Sequence, residues 1–223
     1  MPGLFVVGTD TGVGKTVVTA AIARCLRNRG RAVAACKPVA TGVSAAVADD
    51  TRRLADAVGQ ADYRRVTPWT FPLPAAPPVA ARAAGVELVL NEIANYVKGI
   101  ANPDSLLLVE GVGGLLCPLT ECDTVADLAR LLQFPLVVVA RRSLGTLNHT
   151  LLTLEVARHR GLRVGGVVVS ETTPVRSYAE ETNLEELRKR IAVPLWAVAP
   201  FLADPFAGEI ASLSSVDWER LAQ

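Results

Sequence analysis

A glycine-rich segment near the start of the chain holds the residues best suited to chemistry. Residues 8–16 read GTDTGVGKT and lie between an apolar run typical of a strand and a pattern typical of a helix. Glycines let successive backbone N–H groups point at phosphate oxygens, and the start of a helix adds its positive end. Lys15 would reach the β- and γ-phosphates of a nucleotide, and the Thr16 hydroxyl could bind Mg²⁺. The segment predicts a phosphate-binding loop, although its first glycine stands one residue earlier than usual.

Charged residues follow two further apolar runs, at the points where strands would end. Glu110 follows the run 106–109 and precedes several glycines, and Lys37 follows the run 32–36. The carboxyl ends of parallel strands meet at one edge of a sheet, so we expect both side chains near the phosphate loop. Lys37 would add a cation beside a triphosphate, and Thr41 would add a hydroxyl. A carboxylate of the pair Asp49-Asp50 could complete a Mg²⁺ site with Thr16 and Glu110, or the pair could cap the next helix, or do both.

Groups for covalent catalysis are scarce. The chain has two histidines, and His149, near a predicted helix start, is interpreted as structural. No Ser/His/Asp arrangement stands out in the sequence. We therefore expect phosphoryl chemistry driven by positioning and charge, without a nucleophile from the protein.

The remaining sequence predicts the elements that must position these residues. Short apolar runs at 4–7, 32–36, 106–109, 136–139, 164–169 and 194–198 alternate with helix-like segments at 15–28, 51–58, 87–98, 125–132, 145–159 and 178–190. This alternation favours an α/β fold with a doubly wound, mainly parallel sheet, in a single domain over residues 1–223. Residues 67–78 contain five prolines and are expected to form a loop without regular structure. Residues 214–223 are expected to form a short helix or lie along the surface.

Composition excludes several other classes of function. The 223 residues are 50% hydrophobic and carry a net charge of +1, which gives no electrostatic reason to bind nucleic acid or an anionic membrane. No apolar run reaches the length of a membrane span, and the first residues do not resemble a signal peptide. The four cysteines are scattered, and the 117/122 pair lacks a second pair at zinc spacing. We expect a cytoplasmic protein with reduced thiols.

Four segments together resemble the dethiobiotin synthetase family, which has a P-loop NTPase-like three-layer fold. They are residues 8–16, 37–42 (KPVATG), 109–114 (VEGVGG) and 144–150 (LGTLNHT), and the resemblance extends to about residue 200. It implies a Mg²⁺-dependent enzyme acting on 7,8-diaminononanoate, CO₂ and ATP. In that reaction a carbamate forms on one amine, ATP converts it to a carbamic-phosphoric anhydride, and the second amine closes a ureido ring. The resemblance also implies a homodimer with active sites at the subunit interface.

The resemblance assigns roles residue by residue. Lys15 and Lys37 match catalytic lysines, and the metal ligands match Thr16, Asp50 and Glu110. Contacts to ATP match Gly12, Val13, Gly14, Lys15, Thr16, Val17, Asp50, Glu110, Gly111, Val112, Gly113, Ser170, Glu171, Pro200, Phe201 and Leu202. Contacts to the diamine substrate match Lys37, Thr41, Gly145, Thr146, Leu147 and Asn148, the last four holding the distant carboxylate across the interface.

The chain departs from the family pattern at two places. Some members have Glu where this chain has Gly12. Many have an Asn-Asp pair where it has Ser170-Glu171, so the preference for ATP over other nucleotides is open.

Two other classes of protein have a related phosphate loop. Amide-forming cobyrinate or cobyrate synthases need a glutaminase part for which 223 residues leave no room. P-loop ATPase switches that partition DNA or position the division machinery carry a second lysine where this chain has Asp10.

Overall fold

The computed structural model describes residues 1–43, 48–100, 102–175, 177–206 and 210–223. A six-stranded sheet in the order β2-β5-β1-β6-β7-β8 forms its centre, and each pair of neighbouring strands runs parallel. The strands are β1 (Gly3–Gly8), β2 (Val33–Cys36), β5 (Leu106–Gly114), β6 (Leu136–Arg141), β7 (Val164–Ser170) and β8 (Leu195–Ala199). The predicted α/β class with a mainly parallel sheet is confirmed.

Helices cover both faces of this sheet, because its central strands are apolar on both sides. In β1, Leu4 and Val6 face one hydrophobic cluster while Phe5 and Val7 face the other, as the period of two along a strand requires. The first cluster includes residues of α1 (Lys15–Asn28), α2 (Asp49–Val58), α9 (Ala211–Ser214) and α10 (Trp218–Leu221). The second includes residues of α4 (Pro77–Ala83), α5 (Leu90–Gly99), α6 (Val125–Leu132), α7 (Thr146–His159) and α8 (Tyr178–Arg190). The result is three layers, with the sheet between two layers of helices.

The proline-rich segment 67–78 was predicted wrongly as a loop without regular structure. Its first part contains β4 (Trp69–Phe71), which pairs in parallel with β3 (Val39–Thr41) to form a small second sheet. Its end contains the start of α4, where Pro77 and Pro78 occupy the first turn. Prolines suit that position because the first N–H groups of a helix have no partner within it.

The two ends of the chain meet at the amino end of the sheet. The backbone N–H of Gly3 donates to the carbonyl of Ala222 over 3.1 Å, just after the short helix α10. Trp218 in that helix is fully buried, so the predicted short C-terminal helix is part of the core. Another short helix, α3 (Tyr63–Val66), follows α2 and leads into the small second sheet. Within the described ranges, no helix has the length and apolar character needed to cross a membrane.

Candidate active site

The phosphate loop ends in a helix start that has no side-chain cap. Gly12 and Gly14 adopt φ angles of +70° and +93°, in the left-handed region that favours glycine. Gly14 is the N-cap of α1 and provides no capping side chain. The first backbone N–H groups of α1 are therefore left for an anionic ligand.

Lys15 lies along this loop and is nearly buried. Its ammonium donates to the carbonyl of Gly113 over 2.8 Å and to the carbonyl of Asp10 over 3.0 Å. Burial lowers the pKa of Lys15, and the nearby carboxylate of Glu110 partly offsets this effect. The carbonyl contacts hold the ammonium where the loop curves, beside the helix start.

Lys37, Asp50 and Glu110 meet at the carboxyl edge of the sheet. The Lys37 ammonium contacts Oδ2 of Asp50 and lies 3.0 Å from Oε1 of Glu110. Burial would lower the pKa of Lys37, but the charges of Glu110 and Asp50 outweigh it and raise the pKa. Burial would likewise raise the pKa of Asp50, but the Lys37 ammonium lowers it. The arrangement places one cation between two carboxylates.

Glu110 has a carboxylate oxygen that fits a metal ion. The residue is fully buried at the end of an apolar strand, and its Oε1 accepts hydrogen bonds from Thr16 Oγ1, over 2.8 Å, and from Lys37. Its Oε2 is buried and has no hydrogen-bond partner among the described residues. A buried carboxylate oxygen without a partner is costly, so a cation ligand would satisfy it. Mg²⁺ commonly uses one or two carboxylates together with phosphate oxygens, which agrees with Asp50, Glu110 and the neighbouring hydroxyl of Thr16.

A cavity of about 920 Å³ opens over these groups. The predicted residues that line it are Gly12, Gly14, Lys15, Thr16, Val17, Lys37, Thr41, Asp50, Glu110, Val112 and Gly113. It is large enough for a nucleotide and a small organic substrate together. Val13 in the phosphate loop and Gly111 in β5 are buried and do not line it.

Several residues of the cavity wall were missed by sequence reasoning. They are Val43, Ala48, Arg53, Pro74, Ala75, Ala76, Pro77, Cys117, Thr172 and Phe206. The Arg53 guanidinium lies 4.0 Å from the centre of the Phe206 ring, a cation–π contact at the rim. No local pattern around residue 206 indicates this contact, because it depends on how the chain returns after β8.

The predicted base-contacting residues lie at the same sheet edge but outside the cavity wall. Ser170 is buried against Gly14, and Glu171 follows it at the end of β7. Oε1 of Glu171 is 2.5 Å from Nη1 of Arg142, and Oε2 accepts a hydrogen bond from the N–H of Phe201 over 3.2 Å. Pro200, Phe201 and Leu202 follow β8 and are exposed. These contacts connect the ends of three strands, β6, β7 and β8.

The predicted carboxylate-binding segment forms the start of α7. Gly145 is the N-cap, with a φ of +93°, and Thr146 is the first helical residue. Within this chain, residues 145–148 do not line the large cavity. Later residues of α7 border a second cavity of about 370 Å³ on the other side of the phosphate loop, lined by Leu116, Leu152 and others. Leu144, just before the helix, is 84% exposed, and Leu152, near its middle, is 57% exposed.

A parallel sheet with an uncapped glycine-rich loop, a lysine and nearby carboxylates at its carboxyl edge defines a P-loop nucleotide-binding protein. Solved structures agree on the fold. A septum site-determining protein MinD from Pyrococcus horikoshii, complexed with Mg-ADP, aligns with a TM-score of 0.56 at 17% identity, over 96% of this chain and 94% of that one. A ParA family ATPase from Chlorobium tepidum aligns with a TM-score of 0.53 at 13% identity, over 99% and 96%.

Sequence comparisons are more specific. A family model described as an AAA domain matches residues 2–205. ATP-dependent dethiobiotin synthetases from two strains of Anaeromyxobacter dehalogenans are 43% and 40% identical, over 85% and 97% of this chain and the same shares of theirs. The enzyme of that name from Bacillus subtilis is 35% identical over 92% of this chain and 89% of its own. The chain belongs to the ATP-dependent dethiobiotin synthetase family, a family of ligases.

Proposed function

We propose that this protein makes dethiobiotin from 7,8-diaminononanoate, CO₂ and ATP in the cytoplasm, as one P-loop domain of residues 1–223. One observation carries the proposal beyond family membership. Lys15, Lys37, Thr16, Asp50 and Glu110, which come from separate parts of the chain, converge at one cavity beside the phosphate loop. This is the set of charges that transfer of a phosphoryl group to a carboxylate-like acceptor needs.

The substrate supplies both nucleophiles in this reaction. One amine attacks CO₂, forms a C–N bond and loses a proton, which gives a carbamate. A carbamate oxygen attacks the γ-phosphorus, the bond to ADP breaks, and a mixed anhydride forms. The second amine then attacks the carbamoyl carbon, expels phosphate and closes the ring. The protein must bring two anions together and stabilise the charge that moves between them.

Two lysines fit this task, one at the start of α1 and one directly after β2. Lys15 would bind the β- and γ-phosphates together with the free N–H groups at the start of α1. Lys37 would face the carbamate oxygens and the transferring phosphoryl group, and the Thr41 hydroxyl would contact the substrate. When bound, Mg²⁺ would neutralise phosphate charge and orient the γ-phosphate. Thr16, Asp50 and Glu110 would hold it, since their oxygens lie together at the loop.

The remaining nucleotide contacts extend along the loop and the sheet edge. We assign the phosphates to Gly12, Val13, Gly14 and Val17, with Gly111, Val112 and Gly113 approaching from β5. The base and ribose are assigned to the ends of β7 and β8, around Ser170, Glu171, Pro200, Phe201 and Leu202. Ser170 lies against Gly14, so the end of β7 is next to the phosphate loop. This proximity supports a nucleotide that extends from the loop toward the ends of β7 and β8.

A second copy of the chain would complete the substrate site. Gly145, Thr146, Leu147 and Asn148 would bind the distant carboxylate of a substrate held mainly by the partner subunit. A helix start suits a carboxylate, and Oγ1 of Thr146 is buried and lacks a partner among the described residues. The exposed Leu144 and Leu152 support an interface at this surface, since apolar side chains this open are suited to a contact with another chain.

The direct test is product formation. Purified protein is incubated with diaminononanoate, bicarbonate and Mg-ATP, and dethiobiotin is measured by mass spectrometry. We expect product in proportion to phosphate released, and little ATP hydrolysis when either the diamine or bicarbonate is omitted. Lys15→Ala serves as the inactive control. Hydrolysis that continues equally without these two substrates, with no dethiobiotin, would contradict the proposal.

A further inference from the structure

Lys37 occupies the space between the two carboxylates that are proposed to hold Mg²⁺. Its ammonium contacts Oδ2 of Asp50 and lies 3.0 Å from Oε1 of Glu110. The side chain is 9% exposed, and Glu110 is fully buried, so water screens this pair poorly. The ammonium therefore balances part of the negative charge of these carboxylates.

Mg²⁺ and the Lys37 ammonium would share the same two carboxylates. Oε1 of Glu110 already accepts hydrogen bonds from Lys37 and from Thr16. Its Oε2 has no partner among the described residues and is left for a metal ion. A divalent ion held by Asp50 and Glu110 would still lie next to the ammonium, and the two cations would repel, because Lys37 and Glu110 are buried. This repulsion favours a movement of Lys37, whose side chain has the rotatable bonds for it.

The other lysine of the site is placed differently. The Lys15 ammonium is held by the carbonyls of Asp10 and Gly113, over 3.0 and 2.8 Å. It forms no hydrogen bond with Asp50 or Glu110 among the described contacts, although their charges affect its pKa. Lys15 thus adds positive charge to the site without standing between the two carboxylates.

We propose that Lys37 is a resident cation, which holds Asp50 and Glu110 together before metal binds and is released into the cavity when Mg²⁺ arrives. This inference rests on the proposed function for the destination of the released side chain. Lys37 lines the same cavity as Thr41 and the phosphate loop, so a released ammonium would meet the anionic substrate groups there. Metal binding would then make the lysine available to the carbamate, and the two events would be coupled.

Metal binding to the nucleotide-free protein tests the displacement. Mg²⁺ and Mn²⁺ are titrated by calorimetry into the wild-type protein, Lys37→Met and Lys15→Met after treatment with EDTA. Removing a competing cation should lower the metal Kd of Lys37→Met by about tenfold or more, and that of Lys15→Met by less than about threefold. Equal gains in the two variants, or no gain in Lys37→Met, would overturn the proposal.

A measurement on the wild-type protein covers the case in which Lys37→Met does not fold. The chain has four lysines, Lys15, Lys37, Lys98 and Lys189, so ¹⁵N-lysine ammonium signals can be assigned one by one. We expect the Lys37 signal to shift or broaden when ADP is replaced by Mg-ADP, while those of the exposed Lys98 and Lys189 stay unchanged. A Lys37 signal that is the same with ADP and Mg-ADP would show that the ammonium stays in place.

These readouts are separate from product formation. If the protein makes no dethiobiotin but Lys37→Met still binds metal more tightly, the displacement stands and the proposed substrate is wrong. If dethiobiotin forms while neither readout responds, the proposed function stands and the displacement is wrong.

Discussion

Ser170, the last residue of β7, lies directly against Gly14 of the phosphate loop. A Cβ atom built on residue 14 would collide with Oγ of Ser170, which is buried and has little room to move. The φ of Gly14 is +93°, a region that residues with a side chain rarely adopt. Residue 14 is therefore restricted to glycine by its backbone and by its neighbour, independently.

Gly14→Ala should lower the free energy of unfolding and weaken nucleotide binding. The left-handed backbone and the collision with Ser170 together cost about 2–5 kcal/mol, by the usual penalties for strain and overpacking. Urea unfolding measures the loss, and calorimetric titration with ATP measures the binding. Gly30→Ala is the matched control, because Gly30 also has a positive φ, +81°, but nothing lies near its Cβ position. Equal losses in the two variants would mean that the contact with Ser170 is unimportant.

Lys37→Ala should slow turnover far more than it weakens ATP binding. Its charge is needed mainly where negative charge develops in the transition state, so kcat should fall by about a hundredfold or more. The Kd for Mg-ATP should change by less than about threefold, because the phosphates contact chiefly Lys15, the loop and the metal. Equal losses in kcat and in ATP affinity would identify Lys37 as a binding residue only.

Asp127, at the start of α6 and outside the active site, should make the free energy of unfolding depend on pH. Its carboxylate accepts two hydrogen bonds from Thr124, over 2.7 and 2.9 Å, and one from Arg160 over 3.3 Å. Burial would raise the pKa of Asp127, but the bonds from Thr124 and the charge of Arg160 lower it. A lowered carboxyl pKa stabilises the fold above the unfolded-state pKa of about 3.9, and this stabilisation is lost as pH falls through the folded-state pKa.

Asp127→Asn should therefore be less stable than wild type at pH 7, by about 1 kcal/mol, and equally stable in acid. Urea unfolding from about pH 7 down to about pH 2.5 covers this range. Asp104→Asn, which changes an exposed carboxyl, controls for net charge. A stability gap between Asp127→Asn and wild type that stays constant across the range would show that the charge of Asp127 is unimportant.

Nucleotide preference should be weak. The end of β7 offers a buried serine and a carboxylate held by Arg142 and the N–H of Phe201, with no side-chain amide to read adenine. A site without base-specific hydrogen bonds discriminates poorly, so kcat/KM for GTP and CTP should lie within about tenfold of ATP. Dethiobiotin formation with each nucleotide checks this. A preference for ATP of about a thousandfold would require base contacts from the backbone or from other residues.

Much of the fold was predictable because local signals agree with the tertiary structure. The bounds of α1, α6 and α8 match the predicted helices at 15–28, 125–132 and 178–190. In α8, Ser177 accepts a hydrogen bond from the N–H of Glu180, whose carboxylate accepts one from the N–H of Ser177, and this capping box marks the helix start in the sequence. The small β3-β4 sheet was missed, since three-residue strands among prolines carry no periodic pattern.

The convergence of the site was predictable for the same reason, and the surrounding wall was not. Thr16 and Glu110 are 94 residues apart, yet the rule that parallel strands end at one edge brings them together. By contrast, the contact between Arg53 and Phe206 depends on where an irregular segment after β8 crosses α2. Periodicity gives no information on such crossings.

Pro74 and Pro77 form part of the cavity wall, on the side that also carries Thr41. Their rings fix the backbone φ angles covalently, so this wall has little conformational freedom left to lose when a ligand arrives. The entropic cost of binding a long, flexible diamine acid would then come mainly from the ligand's own methylene chain. Shorter or longer homologues of the substrate would have to adapt to a rigid surface, which makes this wall a natural determinant of chain length.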